Sequence, residues 1–194
     1  MDTRALFTSA DAAIRGVFDR LDPDDLTRPV PEEWSRIAED PVVRDILFAH
    51  AYDEAWVPDV LAGKALADGD PYREADLLGE DPVASYDALH DRAAAAVAEG
   101  VEPGAVFRFQ YGDYPAEEGF AHLAMYRAFQ AWSIAHHLGL PFSLGEDLVA
   151  GLDEHVMPHA VQWRAYGVFP PAIEPPTGAD AETVLLCRAG YWRP

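Results

Sequence analysis

A stretch without proline, lying between Pro115 and Pro141, constrains the fold of this chain most. Proline is tolerated at the start of a helix but interrupts its interior, so the two prolines limit the element. Apolar residues recur between them at steps of three or four, which describes one buried face of a helix. These residues are Phe120, Leu123, Ala124, Phe129, Trp132, Ala135 and Leu138. We therefore predict a long helix over residues 117–138.

A second, polar stripe runs along the same predicted helix. It consists of His122, Tyr126, Gln130, Ser133 and His137. Side chains three or four residues apart stack along one side of a helix, so these groups are expected beside the core face. Polar side chains in such a position can line a pocket.

The composition indicates a single domain over residues 1–194 and excludes several classes of partner. Hydrophobic residues make up 49% of the chain, which suffices for a core without disulfides, and Cys187, the only cysteine, is expected to be a small buried hydrophobe. Acidic residues outnumber basic ones 34 to 14, and the net charge of -20 disfavours nucleic acid and anionic membranes. With no signal peptide and no membrane-length apolar run, the sequence predicts a cytoplasmic protein.

Helical periodicity also appears in five other segments. These are residues 3–21, residues 41–56 after an Asp40 cap, residues 82–99 after an Asp81 cap, a segment from a Ser143 cap with Glu146 at its capping-box position towards Arg164, and a short piece capped by Asp180. Pro58 is expected to kink or end the second segment, and Pro158 to bend or split the fourth. The turn-rich residues 63–82 indicate a surface excursion, and VFRFQYGDYP a short strand or an extended loop. An all-α bundle is predicted, with its site between facing helices.

Histidines give the remaining candidates for chemistry. His50 lies four residues after Ile46 and is expected on the buried side of its helix, with Asp53 and Glu54 within reach of the same face. A histidine in such a place is more often a hydrogen-bonded core residue than a ligand. His90 is expected to be at least half exposed. His155 and His159 have the spacing of a helical metal pair, but Pro158 between them distorts that geometry.

Three motifs together resemble the DinB and YfiT-like superfamily, in particular its mycothiol-dependent maleylpyruvate isomerase-like branch. LTRPVPEEW followed by VVRDILFAH is similar to that branch's proline-containing loop, Trp, and helix ending in a metal-binding histidine. YRAFQAWSIAHHLG resembles its later helix, E-x-x-x-H-x-W-D-x-A-x-x-x-G. The tail LLCRAGYWRP resembles the closing LL-x-x-x-GR-x-P. The resemblance covers nearly the whole chain and implies a DinB-like four-helix bundle with crossover loops and a C-terminal extension.

The resemblance implies a divalent metal, usually zinc or nickel, between the second and fourth long helices, beside a low-molecular-weight thiol and a substrate. His50 matches the first ligand of that site. Tyr126 stands where the branch has Glu, Gln130 where it has the second His, and Ser133 replaces the Asp after Trp132. A shell of one His, one Tyr and one Gln should hold zinc poorly, so no metal or other cofactor is expected. If a metal is present, its ligands are expected to be His50 with Glu54 or His122.

Three functional readings remain open. The first is a small-molecule enzyme, an isomerase or transferase, with His50 as acid or base and with Tyr126 and Gln130 hydrogen-bonding the substrate. Neighbouring residues would complete its substrate site, namely Asp53, Glu54, His122, Trp132 and Ser133. The second reading is a metal- and mycothiol-dependent transferase or isomerase with rearranged ligands. The third is a non-catalytic member that binds a ligand or forms a homodimer.

Overall fold

Helices make up most of the structure, a computed structural model that describes residues 1–35 and 38–192, and the predicted all-α class is confirmed. The helices are α1 (Thr3–Phe18), α2 (Val43–Leu61), α3 (Pro82–Glu99), α4 (Ala116–Leu138), α5 (Glu146–His155), α6 (Ala160–Ala165) and α7 (Ala181–Ala189). Within this part of the chain, no helix has the length and apolar character needed to cross a membrane. The DinB-like arrangement of the helices stays a prediction, and the last two residues of the tail motif, Arg193 and Pro194, lie outside the described residues.

A two-stranded antiparallel hairpin precedes α4. Its strands are β1 (Val106–Phe109) and β2 (Gly112–Pro115), and Phe107 pairs with Tyr114. The stretch that the sequence leaves open between strand and loop is therefore a strand pair.

By their internal contacts the described residues fall into two units. The first unit combines residues 1–14 with the chain from residue 120 onward, and the second is residues 15–119. Helices α1 and α4 each contribute residues to both. The single domain over residues 1–194 stays a prediction.

The first unit has a core built on α1, α4, α5 and α7. Buried side chains include Leu6, Phe7, Phe129, Ile134, Leu152 and Leu186. The ring of Phe129 stacks on Tyr191 with centroids 4.8 Å apart, which holds the residues after α7 against α4. Cys187 is fully buried, as the sequence predicts.

The second unit has α2 packed along α3. Its core includes Phe18, Ile46, Leu47, Tyr86 and Phe107, each at most 1% exposed. The Phe18 ring meets the Tyr86 ring edge-on at 4.9 Å between centroids. Aromatic pairs in this geometry add to the gain from burial alone, so the end of α1 is anchored to α3.

The start of α2 differs from the prediction, because Asp40 is not its cap. Asp40 has φ of 50°, and the helix begins at Val43. Residues 41–43 are engaged elsewhere, since Pro41 and Val43 form backbone hydrogen bonds of 2.9 and 3.0 Å with the segment around Pro29. The helix also runs through Pro58 to Leu61 instead of ending near residue 56.

The predicted capping box at Ser143 is also wrong. Helix α5 begins at Glu146 after Gly145, and the Ser143 hydroxyl donates to Glu182 Oε2 at 2.6 Å. This contact with α7 competes successfully with a local cap. Further along, Pro158 splits the predicted helix as expected, so His155 and His159 do not share one regular helix.

Two other caps are confirmed, while α1 is three residues shorter than predicted and ends at Phe18. Asp81 accepts a hydrogen bond from the Ala84 N–H at 3.1 Å, and Asp180 accepts one from the Thr183 N–H at 2.7 Å. Both satisfy N–H groups that have no partner within the first turn of a helix.

Candidate functional site

The interior of α2 carries two buried titratable side chains, His50 and Glu54, and neither is exposed at all. They lie four residues apart, so they are neighbours on one helical face, with Cβ atoms about 5–6 Å apart. The rings of His50 and Phe18 meet in an edge-on arrangement, with 5.6 Å between their centroids. Asp53 is half-buried on the same helix. The predicted burial of His50 is therefore confirmed, and it is shared with Glu54.

The polar stripe of α4 lies in the first unit and is largely buried. His122, Gln130 and Ser133 are 8%, 8% and 6% exposed. Tyr126 is half-buried, and His137, at the end of the stripe, is exposed. The helical spacing therefore predicted burial correctly for three of the five residues in the stripe.

The surroundings of these residues on α4 differ from one another. His122 meets Trp163 edge-on at 4.7 Å between ring centroids, so an aromatic residue from α6 covers it. The oxygen Oε1 of Gln130 is buried and has no hydrogen-bond partner among the residues that the structure describes. Trp132 is half-buried and its ring stacks on His136 at 4.8 Å, which places it near the surface of the helix.

The predicted site residues thus fall into two groups. One group, on α2 of the second unit, is His50, Asp53 and Glu54, and the other, on α4 of the first unit, is His122, Tyr126, Gln130, Trp132 and Ser133. Each group shares one helix. The predicted pairing of His50 with Tyr126 and Gln130 stays a prediction.

The metal site implied by the resemblance does not fit the side chains present. Across residues 1–35 and 38–192 there is no group of three or more His, Cys, Asp or Glu side chains arranged to hold a metal ion. Tyr126 and Gln130 supply a phenol and an amide in place of the carboxylate and imidazole that zinc prefers. No chemistry at a metal is therefore derived for this protein.

His90 is buried, contrary to the prediction that it is at least half exposed. It is 7% exposed, and its Nδ1 lies 3.1 Å from Nη1 of Arg15. Arg15 also forms ion pairs with Asp87 at 3.0 Å and Asp91 at 2.6 Å. Because α1 brings Arg15 over His90, the position on α3 is covered by a residue that is 75 positions away in the sequence.

Two carboxylates of this cluster around Arg15 have pKa values shifted in opposite directions. Burial and the neighbouring charge of Asp87 raise the pKa of Asp19 above its ordinary value of 3.8. The pKa of Asp91 is lowered instead, chiefly because its carboxylate accepts a hydrogen bond from Arg15. A single guanidinium thus stabilises one of these two charges more than the other.

Sequence reasoning missed a cleft at the C-terminal end of α2. It has a volume of about 610 Å³ and is lined by Trp56, Asp59, Lys64, Asp68, Gly69, Asp70 and Pro71. We refer to these seven residues as the α2 cleft. The segment from Lys64 to Pro71 belongs to the predicted surface excursion, whose polar composition gave no sign that it folds back onto a tryptophan.

Two tyrosines fix the carboxylates of the α2 cleft. The Tyr52 hydroxyl donates to Asp70 at 2.7 Å, and the Tyr72 hydroxyl donates to Asp59 at 3.1 Å. Lys64 donates to Asp59 at 2.7 Å, and this bond is the main reason why the pKa of Asp59 is lowered. Burial alone would raise the pKa of Asp70, but the hydrogen bond from Tyr52 and others bring it below its ordinary value. Both carboxylates are therefore charged at neutral pH.

A comparison of the chain with protein-family models, with curated proteins and with solved structures found no match. Membership of the DinB and YfiT-like superfamily therefore stays a prediction from the quoted motifs. Function is therefore inferred from the chemistry and placement of the side chains.

Proposed function

We propose that the protein is an acid–base enzyme for a small molecule, of the isomerase or transferase class. His50 would exchange a proton with the substrate, and Glu54 would orient the imidazole and balance its charge. One observation carries the proposal, namely the complete burial of His50 and Glu54 on adjacent turns of α2. Histidine is the side chain whose ordinary pKa allows it to gain and lose a proton near neutral pH.

The burial of His50 and Glu54 has an energetic cost. Placing ionisable groups in an apolar interior costs on the order of several kcal/mol unless their interactions compensate. Apolar side chains would fill the same volume of α2 without that cost, and the neighbouring interior positions Ile46, Leu47 and Ala51 are apolar. Retention of an acid–base pair among them favours a chemical role over a packing role.

Complete burial also sets a condition on access. A substrate reaches His50 only when neighbouring side chains such as Phe18 move aside, so binding and local opening have to be coupled. Once closed, such a site excludes water, which strengthens every electrostatic interaction within it.

The resemblance adds a finer part to the proposal. In it, the chain is a DinB-like four-helix bundle whose metal ligands have been replaced, so that acid–base chemistry takes the place of chemistry at a metal. The replaced ligand positions, Tyr126 and Gln130, and the lack of a three-ligand group among the described residues support this reading. The buried oxygen of Gln130, for which the described residues supply no donor, suits a substrate contact.

Untargeted metabolite analysis tests the proposal and identifies the substrate in the same experiment. Metabolite extracts from the native cells are incubated with the wild-type protein, with His50→Asn, with Glu54→Gln and with His137→Asn, and then compared by mass spectrometry. We expect the wild type and His137→Asn to convert the same compound, because His137 is exposed on α4. We expect His50→Asn to slow that conversion by about 10²–10⁴-fold, the usual contribution of a general acid or base. We expect Glu54→Gln to slow it by less, because Glu54 acts through His50.

Two further measurements separate a failed proposal from a failed fold. Circular dichroism and thermal unfolding show whether each variant remains folded. If folded His50→Asn converts the compound as fast as the wild type, His50 is not the acid or base. Elemental analysis of protein purified without a metal-chelating tag provides the second check, because about one zinc or nickel ion per chain would favour a metal-dependent reaction with rearranged ligands.

A further inference from the structure

Phe18 ties the buried His50 to the end of α1. It is the last residue of that helix and is fully buried. Its ring lies edge-on to His50 on α2 and to Tyr86 on α3, with 5.6 and 4.9 Å between centroids. Protein interiors are close-packed, so such a ring leaves its place only when its backbone moves as well. Access to His50 past Phe18 therefore requires movement of residues 15–18, the last turn of α1, which we call the α1 end.

The α1 end is the segment around His50 that is easiest to move. The last carbonyl groups of a helix have no partner within it, so helix ends open more readily than helix interiors. Gly16 weakens the turn further, because glycine loses more backbone freedom in a helix than other residues do. His50 itself lies well inside α2, several residues after its start at Val43. We therefore expect the second unit to open at the α1 end and not at α2.

Arg15 holds the α1 end against α3. Its Nε lies 3.0 Å from Asp87 Oδ1, and its Nη1 lies 2.6 Å from Asp91 Oδ1 and 3.1 Å from His90 Nδ1. Arg15 precedes Phe18 by three residues, so the two side chains lie on the same side of α1. Both reach α3, Arg15 with 29% of its side chain exposed and Phe18 in the interior. The attachment of the α1 end thus has a polar half and an apolar half.

From this arrangement we infer that the α1 end is a gate over His50 and that Arg15 is the latch that keeps the gate closed. The inference rests on the proposed function, because it names the device that regulates access to the same site. In the closed state Phe18 shields the imidazole from water. In the open state Arg15 leaves α3, Phe18 follows, and a substrate reaches His50. Arg15 acts through Phe18 and is a positioning residue.

The exposure of Arg15 suits a latch that has to open during turnover. Partly exposed ion pairs are screened by water, and each changes an equilibrium by less than about tenfold. A fully buried pair such as Arg127 with Asp11 would instead hold its helices together almost permanently. The contacts of Arg15 therefore bias the gate towards the closed state without locking it.

Chemical labelling of His50 measures gate opening without any substrate. Diethyl pyrocarbonate acylates neutral imidazole, and mass spectrometry of peptides gives a rate for each of the seven histidines. The full chain is labelled at about pH 8, where an imidazole of ordinary pKa is neutral. The exposed His137 serves as the internal reference for the reagent. Because His50 has no exposed surface in the closed state, its rate follows the population of the open state.

Release of the latch should speed the labelling of His50. We expect Arg15→Met to raise the rate by about 3–30-fold and Asp91→Asn by about 2–5-fold, since they remove all or one of the latch contacts. Arg15→Lys should have a smaller effect than Arg15→Met, because it keeps the charge but loses the fork that reaches several partners. The control is Arg73→Met, which removes the same charge from an ion pair with Asp70 in the same unit and should leave the rate unchanged.

Gly16→Ala is the matched variant of opposite sign. Among the described residues, a Cβ added at Gly16 would meet no atom of a neighbouring element within 4 Å. Alanine favours the helical backbone over glycine, so we expect this variant to slow the labelling of His50 by about 2–5-fold. If Arg15→Met does not fold, as judged by circular dichroism, Asp91→Asn and Gly16→Ala still test the gate.

Urea separates gate opening from global unfolding. Local opening exposes far less surface than unfolding of the chain, so the labelling of His50 in the wild type should change little in urea well below the unfolding transition. A steep rise would mean that the reagent reaches His50 only through global unfolding, and this result would overturn the inference.

Two further results would overturn it. If folded Arg15→Met and Asp91→Asn label His50 no faster than Arg73→Met does, Arg15 is not a latch. If Gly16→Ala labels at the wild-type rate, the α1 end is not the segment that opens. Neither result touches the proposed acid–base function, because labelling requires no turnover and that function is tested by the conversion of a metabolite in His50→Asn.

Discussion

Two buried polar pairs, one in each unit, show what burial alone says about function. In the first unit, Arg127 is fully buried, its Nε donates to Asp11 at 2.8 Å and its guanidinium lies 4.8 Å from the centre of the Phe7 ring. In the second unit, His50 and Glu54 are equally buried on one helix. Arginine stays protonated at any relevant pH, whereas histidine does not. Both pairs are buried, so burial alone does not identify a functional site. What distinguishes His50 and Glu54 from the arginine pair is a side chain that can gain or lose a proton near neutral pH.

The largest effect should come from breaking the arginine pair. We expect Asp11→Ala to lower the free energy of unfolding by about 3–5 kcal/mol, because it leaves the charge of Arg127 buried without its carboxylate. Urea unfolding measures the change. The control is Asp153→Ala, which removes a half-exposed partner of Arg188 in the same unit and should cost about 0–1 kcal/mol. A loss in Asp11→Ala no larger than in this control would mean that the arginine pair carries little stability.

The second pair should respond in the opposite direction. Replacing both members, as His50→Leu with Glu54→Leu, should leave the free energy of unfolding unchanged or raise it by about 1–4 kcal/mol, because apolar side chains avoid the cost of burying polar groups. The same double variant should lose all turnover of the compound found in metabolite extracts. Urea unfolding and mass spectrometry give the two readouts.

The outcome for the double variant decides how far the two pairs differ. A loss of stability comparable to that of Asp11→Ala would assign His50 and Glu54 to the structure, as is the case for Arg127. The proposed acid–base function would then lose the observation that carries it.

Features that depend on neighbours within one helix could be predicted from the sequence, whereas features that depend on residues far away in the sequence could not. The burial of His50 follows from a helical period of 3.6 residues, and so does that of Gln130, because both depend on neighbours within the same helix. The burial of His90 could not be predicted, since Arg15 covers it from a different helix. The same holds for the start of α2, where residues 41–43 pair with the segment around Pro29.

The α2 cleft shows this limit most clearly. Its aromatic wall belongs to α2, where Trp56 has the spacing of an ordinary core residue. Its acidic wall belongs largely to a segment whose composition is typical of a solvated loop. A long-range hydrogen bond from Tyr52 to Asp70 joins the two, and no local pattern encodes such a bond.

The smallest effects on stability should come from the partly exposed cluster around Arg15. Here the comparison is between two of its carboxylates, Asp19 and Asp91. The pKa of Asp19 is raised in the folded protein, so its contribution to stability is present at low pH and is lost as the pH rises through that pKa. Ionised Asp19 therefore destabilises the protein at neutral pH. Asp19→Asn should raise stability at about pH 7 and have little effect near pH 3.

Asp91 supplies the matched variant of opposite sign. Its pKa is lowered by Arg15, so its contribution is present above its ordinary pKa and is lost as the pH falls through the lowered value. Asp91→Asn should therefore reduce stability at about pH 7, and this reduction should shrink as the pH falls through the lowered pKa. Urea unfolding at both pH values measures this. If both substitutions shift stability in the same direction at neutral pH, Arg15 does not stabilise the charge of Asp91 more than that of Asp19. The Arg15 cluster, like the buried arginine pair, would then say nothing about function.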